Sequence, residues 1–299
     1  MPLLKHGIPV ELIQMENLPQ PHVLDNIKVL LLTYEGQKPL KPEYHEVLNN
    51  WVRDGGRLLF IDDGEDPYNH VREWWNKQGT IQRTPEKDLF ERMEIPDEAG
   101  QTPVQTGKGW VRIHKKAPSR IAKEAHGADE LMRLVTAMLG KTGETLRTQN
   151  YLKLRRGPYV IASVMDESVS EAPLIITGRF VDILDPMLPI IHEKTLLPNQ
   201  RTLLYDLEWA ENNIGGAKVA AAACRVREEV SGNGVLTFFT RGPAATRARV
   251  RVLLPDTPTA ITAVPGVFVG QEWDKESKTL WLDFDNQAAD VRFTIRYGS

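Results

Sequence analysis

The chain of 299 residues has little cysteine, little net charge and no long apolar run. Its one cysteine, Cys224, excludes an internal disulfide and a cysteine-based metal cluster. Lys and Arg number 37 against 40 Asp and Glu, and a net charge of -3 provides no global positive field for a nucleic acid backbone. The longest apolar runs have the length of a strand, whereas a membrane-spanning helix needs roughly 20 residues. We therefore expect a soluble protein that has neither nucleic acid nor a membrane as its partner.

Two further absences bear on location and cofactors. The first twenty residues interleave apolar, charged and proline positions, and they have no secretory signal pattern. With no disulfides to form, this favours a cytoplasmic location. The seven histidines never pair at a metal-ligand spacing such as H-x-x-x-H, so we expect no metal and no cofactor.

Residues 1–142 alternate strand and helix patterns, an order typical of βαβ units around a mostly parallel sheet. Lys28–Thr33 is an apolar run of the kind buried on both faces of a sheet. From Tyr44 to Val52 the apolar residues have helical spacing, and Gly55-Gly56 ends that helix. The expected elements are strands at 10–14, 28–33, 57–62 and 109–114 and helices at 42–52, 68–77 and 128–139.

The beginning of the chain predicts a domain without its first strand. Pro2–Gly7 resembles the last turn of a helix, and the expected strand 10–14 follows it directly. Truncation of an α/β domain explains this start, with one flank of the sheet left short. The alternative is a three-layer domain that begins with a short helical turn.

After about residue 142 the helical stripes give way to short alternating strands broken by Gly, Pro, Asn and Asp, which is typical of β-sandwiches. We expect one β-sandwich module at 143–214 and a second at 215–299, with Glu208–Gly216 as the linker. Ser231–Gly234 is a candidate hairpin turn. The two modules could also pack as one continuous unit.

Two glycine motifs carry a resemblance to a known family. Val52–Leu58 reads V-x-x-G-G-x-L between a helix and a strand, and Gly107–Val111 reads G-K-G-x-V. Both motifs, in this order, resemble the glutamine-amidotransferase-like (flavodoxin-like) domain found behind the catalytic barrel of many glycoside hydrolases, such as the β-galactosidase trimerisation domain. Tyr151–Asp166 and Leu196–Leu204 are similar to the opening and closing strands of the sandwich that follows it.

This resemblance implies a non-catalytic carboxyl-terminal region of a glycoside-hydrolase-like protein with a role in carbohydrate metabolism. In such enzymes the paired catalytic carboxylates lie on a preceding (β/α)₈ barrel, and this chain has no eight-fold βα repeat. Its implied partners are that N-terminal catalytic domain, further copies of the chain in a homo-oligomer, and carbohydrate. Amidotransfer is excluded, because Cys224 lies far from any strand-to-helix turn that would activate it.

The strongest polar cluster follows the strand 57–62. Asp62, Asp63 and Asp66 come just past this strand, and Tyr34-Glu35 ends the neighbouring one. The carboxyl ends of parallel strands are where open α/β sheets bind ligands, so these residues define a candidate ligand cleft. The same residues also fit a solvated loop in which Asp66 caps a helix that begins at Pro67.

Three tryptophans are candidates for stacking on a sugar ring. Trp74 and Trp75 lie in the expected helix 68–77, which would leave one indole near the surface, and Trp273 lies in the β region. Core packing is the alternative for each of them. The sequence thus leaves two rival functions open, a carbohydrate-binding module and a self-contained hydrolase with a carboxylate site at the sheet end.

Overall fold

The computed structural model describes residues 2–76, 81–96, 102–267 and 269–298. The chain divides into two compact units, unit 1 with Met1–Leu4 and Ile8–Thr148, and unit 2 with Lys5–Gly7 and Gln149–Ser299. The fold is mostly β, with several antiparallel sheets, one sheet that contains parallel strands, and few helices. Within the described residues, no helix has the length and hydropathy needed to span a bilayer.

Unit 1 is built on a four-stranded sheet with the order β1-β2-β4-β3. Strands β1, β2 and β4 are parallel, and β3 pairs antiparallel with β4 at one edge. The strands are β1 (Leu30–Leu32), β2 (Arg57–Ile61), β3 (Val104–Thr106) and β4 (Gly109–His114). The helices are α1 (Pro2–Lys5), α2 (Glu43–Arg53), α3 (Pro85–Arg92), α4 (Pro118–Ile121) and α5 (Gly127–Gly140).

Strand β2 is covered on both faces of the sheet. All five of its residues are buried, and successive side chains point to opposite faces. Leu58 and Phe60 pack in one core with α2 and α3. Leu59 and Ile61 pack in a second core with α5. The apolar run that the sequence shows at 57–61 therefore serves both layers of helices.

The two glycine motifs of unit 1 contact each other directly. The Lys108 N–H donates to the Arg53 carbonyl (2.9 Å) and the Trp110 N–H to the Gly56 carbonyl (3.0 Å). A Cβ on Gly109 would lie 2.0 Å from the Val52 oxygen, and Gly107 has a φ of +60°. Only glycine permits this approach of the turn to the end of α2.

Two expected elements of unit 1 were wrong. Residues 10–14 form no strand, and Leu12 there is 94% exposed, so no burial supports pairing. In place of the helix 68–77, a 3₁₀ turn at Pro67–Asn69 leads into bends and turns through residue 76, and Lys77 lies outside the described residues. Asn76 holds this turn with its side-chain amide, which donates to the Val71 carbonyl (3.0 Å) and accepts from the Arg83 N–H (2.9 Å).

Unit 2 begins with a five-stranded antiparallel sheet of order β5-β6-β9-β7-β8. Its strands are β5 (Tyr151–Arg156), β6 (Tyr159–Val164), β7 (Leu174–Asp182), β8 (Ile190–Leu196) and β9 (Arg201–Asp206). The helix α6 (Leu207–Asn213) follows, capped by the Asp206 carboxylate, which accepts from the Trp209 N–H at 2.9 Å. Helix α6 therefore covers most of the expected linker Glu208–Gly216. Leu207 and Ala210 of this helix are buried.

The rest of unit 2 consists of two four-stranded antiparallel sheets with orders β10-β13-β16-β15 and β11-β12-β17-β14. Phe284 of one sheet and Phe293 of the other pack with ring centroids 4.7 Å apart, inside a core that both sheets share. The strands are β10 (Lys218–Ala222), β11 (Arg225–Gly232), β12 (Val235–Arg241), β13 (Arg247–Leu253), β14 (Pro258–Val264), β15 (Val269–Asp274), β16 (Thr279–Asp285) and β17 (Val291–Tyr297).

The expected hairpin turn at Ser231–Gly234 is confirmed. Gly232 pairs with Val235, and Asn233 and Gly234 between them have φ of 50° and 70°. Two positive φ angles in a two-residue loop are the type I′ geometry that matches the twist of the flanking strands. The turn fixes the register of β11 against β12.

Candidate functional site

Asp62 joins the ends of two parallel strands in unit 1. It follows β2 and is 3% exposed. Its carboxylate accepts hydrogen bonds from the Tyr34 N–H (2.7 Å), the Thr33 hydroxyl (3.2 Å) and the Gly64 N–H (2.8 Å). Asp62 therefore satisfies backbone donors of the loop after β1 and of its own loop, which fixes the carboxyl edge of the sheet.

Asp66 acts as a helix cap and holds a second loop. Its carboxylate accepts from the Tyr68 N–H (2.9 Å) at the start of the 3₁₀ turn, with Pro67 in the first position, as the capping interpretation predicted. It also accepts from the Gly36 N–H (2.8 Å) and pairs with Lys38 Nζ (3.0 Å). Burial raises the pKa of Asp66, but these hydrogen bonds outweigh burial, so its pKa lies below the ordinary value.

The two remaining carboxylates of the predicted cleft bond to α4. Glu35 accepts from the Ser119 N–H (3.0 Å) and from the Ser119 hydroxyl. Asp63 accepts from the Glu65 N–H (3.1 Å) and lies 3.6 Å from Arg120 Nε. Both side chains therefore fasten loops at the sheet edge to a neighbouring segment of unit 1.

Tyr34, the fifth residue of the predicted cleft, points into the core. Its side chain is fully buried, and its hydroxyl lies 2.6 Å from His45 Nε2 of α2. His45 Nδ1 lies 3.0 Å from an oxygen of Asp88 in α3, and Arg92 Nε donates to the same oxygen at 2.6 Å. These four side chains form a hydrogen-bonded chain, here called the Tyr34–Arg92 chain.

The protonation states along the Tyr34–Arg92 chain follow from burial and pairing. Burial raises the pKa of the Tyr34 hydroxyl, and burial lowers the pKa of His45 despite its bond to Asp88. Burial also acts to raise the pKa of Asp88, but the hydrogen bonds from His45 and Arg92 lower it to about 2. At pH 7, Tyr34 and His45 of the Tyr34–Arg92 chain are therefore neutral, and the Asp88 carboxylate is ionised.

His45 and Asp88 were not among the predicted site residues. His45 has a signal in the sequence, since it stands three and seven residues before Leu48 and Val52, on the apolar stripe of α2. Asp88 lies on α3, and Thr84 followed by Pro85 and Glu86 is the helix-start pattern that precedes it.

The candidate tryptophans differ in what they offer to a ligand. The Trp75 indole is 4% exposed and its N–H donates to the Asn69 carbonyl (2.8 Å), so its ring presents almost no face to solvent. Trp74 donates to the Pro39 carbonyl (2.7 Å) and packs edge-on against His45 with centroids 5.0 Å apart. Trp273 lies half-buried on β15 against the core of unit 2.

A pocket of about 340 Å³ opens beside these residues in unit 1. One wall is the loop at 36–40, and the other is the segment that contains Asp66, Tyr68 and Trp75. Tyr68 is 68% exposed, so its ring is the aromatic surface at this opening. Lys38 and Asp66 form an ion pair in the wall, where their side chains are 14% and 10% exposed. The pocket thus combines an aromatic ring, a bound charge pair and the carboxylate of Glu73.

Metal ligands do not converge in the part of the chain that the structure describes. Within the described ranges, no three His, Cys, Asp or Glu side chains are grouped so that they could hold a metal ion. The carboxylates of the predicted cleft act instead as acceptors for N–H and O–H donors of neighbouring loops.

Comparison with known proteins gives little to set beside this geometry. No family model and no curated protein matches the chain. Among solved structures, it is similar to the catalytic module of a family 98 glycoside hydrolase from Streptococcus pneumoniae, determined in complex with the LewisY pentasaccharide blood group antigen. The identity is 7% and the TM-score 0.17, and the match covers 79% of this chain and 44% of that chain.

Proposed function

We propose that the chain is a non-catalytic region of a glycoside-hydrolase-like protein, and that the pocket beside Tyr68 helps to frame a sugar ligand. In this proposal residues 1–142 are a flavodoxin-like domain, and 143–214 and 215–299 are β-sandwich modules. A catalytic domain elsewhere in the protein and further copies of the chain are its partners.

One observation carries the proposal, namely that the carboxylates at the sheet edge are engaged in holding loops. Asp62 and Asp66 each accept three hydrogen bonds, and Glu35 accepts two from Ser119. Asp62 accepts the buried Tyr34 N–H, and this carboxylate cannot turn toward a substrate without leaving that donor unpaired. This arrangement supports a scaffold role for the edge.

The contact between the two glycine motifs supports the same assignment. V-x-x-G-G-x-L ends α2, and G-K-G-x-V begins β4 close against it, with Gly109 tight on the Val52 and Gly56 carbonyls. The motifs that resemble the family are therefore two sides of one packing contact.

The residues that line the pocket support the proposal of a sugar ligand. An exposed Tyr68 ring offers a flat face to the C–H side of a pyranose, and Glu73 offers an acceptor to its hydroxyl groups. Titration calorimetry with galacto-, cello- and xylo-oligosaccharides tests whether the pocket binds a sugar. We expect binding to one series, with a change in tryptophan fluorescence, because Trp75 lines the pocket.

Tyr68→Ala is the informative variant, and Tyr159→Ala is its control, since Tyr159 is a 40% exposed tyrosine of unit 2. We expect at least about a tenfold loss of affinity for Tyr68→Ala and none for the control. Absence of heat and of fluorescence change with all three series contradicts the sugar ligand.

A second candidate, a self-contained hydrolase, is favoured by one residue. Burial raises the pKa of Glu86, and the charge of nearby Asp62 adds to this effect. A carboxyl group whose pKa is raised beside a second carboxylate is the arrangement of a general acid. Hydrolysis of an aryl-glycoside panel that is abolished by Glu86→Gln or by Glu35→Gln would establish this alternative and overturn the non-catalytic proposal.

A further inference from the structure

One face of the sheet β11-β12-β17-β14 carries five arginines. Along β17, Val291, Phe293 and Ile295 are buried in the core, so Arg292, Thr294 and Arg296 point to the other face. The same alternation in β11 and β12 brings further arginines to this side. The arginine face is defined by Arg225, Arg227, Arg241, Arg292 and Arg296.

Four of these arginines make no ion pair with any residue in the described part of the chain, and all four are exposed; they are Arg225, Arg241, Arg292 and Arg296. The fifth, Arg227, pairs with Asp290 at the rim. Register places Arg225 directly opposite Arg241 on the neighbouring strand. Like charges in this position repel and lower stability, so the fold tolerates a cost that an anionic ligand would remove.

Neutral groups lie between the arginines. Thr237, Thr294 and Thr262 stand opposite one another in register on three adjacent strands. Phe239, half-buried, lies in register between Arg227 and Arg292. The face therefore offers a row of hydroxyl groups and one aromatic ring, with cations on both sides.

The spacing of these rows suits a polymer with separated anionic groups. Arg292 and Arg296 are four residues apart on one strand, which corresponds to roughly 14 Å at about 3.4 Å per residue, and Thr294 lies midway. In an extended polymer with acidic groups on both sides of a neutral unit, the acidic groups would lie on Arg292 and Arg296. The neutral unit would lie on Thr294.

We propose that the arginine face binds an acidic polysaccharide, with its carboxylate or sulfate groups on Arg241, Arg292 and Arg296. The planar guanidinium pairs with both anions through two parallel hydrogen bonds. Threonine hydroxyls and the Phe239 ring serve the neutral parts of the sugar units.

Other anionic polymers fit less well. Single-stranded nucleic acid binds through several aromatic rings that stack on successive bases, whereas this face has one, and the chain has a pI of about 6.2 rather than the basic value of such domains. A membrane surface would need large apolar side chains that enter the lipid, and the most exposed apolar residues on this face are two valines, Val230 and Val264. The proposal concerns unit 2 and shares no residue with the sugar pocket of unit 1.

The experiment measures binding of the full chain to polygalacturonate and to heparin by calorimetry. Fully methyl-esterified polygalacturonate, which has the same backbone without the charge, is the matched ligand control. We expect binding to at least one of the two acidic polymers that weakens as salt is raised, and none to the ester. Arg292→Gln with Arg296→Gln lowers this affinity about tenfold or more, because each change removes a charge-assisted pair.

Arg156→Gln with Arg201→Gln is the control variant, since both are exposed arginines of the five-stranded sheet and the charge change is equal. Circular dichroism checks that both double variants are folded. Three results overturn the proposal: no binding to either acidic polymer, equal loss in the control variant, or tighter binding to poly-U RNA or to anionic phosphatidylserine vesicles. Loss of oligosaccharide binding in Tyr68→Ala concerns only the pocket of unit 1. It does not affect the result for the arginine face.

Discussion

The two units of this chain use charged side chains in opposite ways. In unit 1 the carboxylates of Asp62 and Asp66 lie at the end of a sheet covered on both faces, and N–H donors of the surrounding loops occupy them. In unit 2, Arg241 and Arg292 lie on a sheet face that is open to solvent, and they make no ion pair with residues that the structure describes. The carboxylates at the covered sheet end therefore serve the fold, whereas most arginines on the open face are free to bind a ligand.

This contrast predicts different effects of substitutions on the free energy of unfolding. Removal of a charge that satisfies buried donors leaves those donors unpaired, which costs stability. Removal of an unpaired surface charge beside a like charge relieves repulsion. Substitutions in the two units should therefore change the free energy of unfolding with different signs as well as different sizes.

The largest effect is expected at the contact of the two glycine motifs. Gly109→Ala places a Cβ 2.0 Å from the Val52 oxygen and 2.3 Å from the Gly56 oxygen, so the backbone must move. We expect unit 1 to lose about 3 kcal/mol or more of unfolding free energy. Urea unfolding followed by tryptophan fluorescence measures it.

Gly140→Ala at the end of α5 is the control for this change, because nothing lies within 4 Å of the added Cβ. It should leave unit 1 unchanged or roughly 0.5 kcal/mol more stable. Similar behaviour of the two variants would contradict the packing contact.

The second effect concerns Asp62. Asp62→Ala leaves Thr33, Tyr34 and Gly64 without the acceptor they share, and we expect a loss of about 2–4 kcal/mol. Glu35→Ala removes bonds to Ser119 in an exposed position and should cost less than about 1 kcal/mol. If both substitutions were equally mild in urea unfolding, the carboxylates would not hold the sheet edge.

The third effect is a dependence of stability on pH. The pKa of Asp88 is about 2 in the folded chain against an ordinary 3.8, so its stabilisation, about 2 kcal/mol, is present above pH 3.8 and is lost as pH falls through 2. The pKa of His45 is lowered from 6.5, mainly by burial. The unfolded chain therefore takes up a proton first, and stability begins to fall as pH drops below 6.5.

His45→Gln separates the two steps, since glutamine does not titrate. Unfolding free energies measured between pH 2 and 8 should show a smaller slope between pH 5 and 7 in this variant than in the parent chain, and the remaining slope comes from His114, whose pKa is also lowered by burial. An unchanged slope would show that another group causes it.

The smallest effect lies in unit 2 and has the opposite sign. Arg241→Gln removes a charge directly opposite Arg225, so we expect a gain of roughly 0.2–1 kcal/mol in unfolding free energy. Arg227→Gln breaks the pair with Asp290 and should give no gain. A loss of stability in Arg241→Gln would mean that this arginine has a partner and would weaken the contrast between the units.

Much of the framework was predictable because local pattern and burial agree. Strand β4 falls on residues 109–114 as expected, and α2 and α5 lie within one residue of the expected ranges. The capping role of Asp66 was also among the interpretations, since an aspartate before Pro67 encodes it locally.

The site was less predictable because its contacts join distant segments. Tyr34 was predicted to lie at the cleft, but a hydrogen bond to His45 turns its side chain into the core. A helix was predicted around Trp74 and Trp75, where the amide of Asn76 holds a turn through bonds to backbone groups. Such side-chain competition for the backbone overrides an amphipathic pattern.

The edges of the parallel sheet have a consequence for self-association. Its outer strands, β1 and β3, are each three residues long in the described chain, and the longer β2 and β4 lie between them. So short a rim presents few free backbone groups to an incoming strand, which discourages growth of the sheet from one molecule into the next. Assembly through unit 1 should therefore use side-chain surfaces and not extension of this sheet.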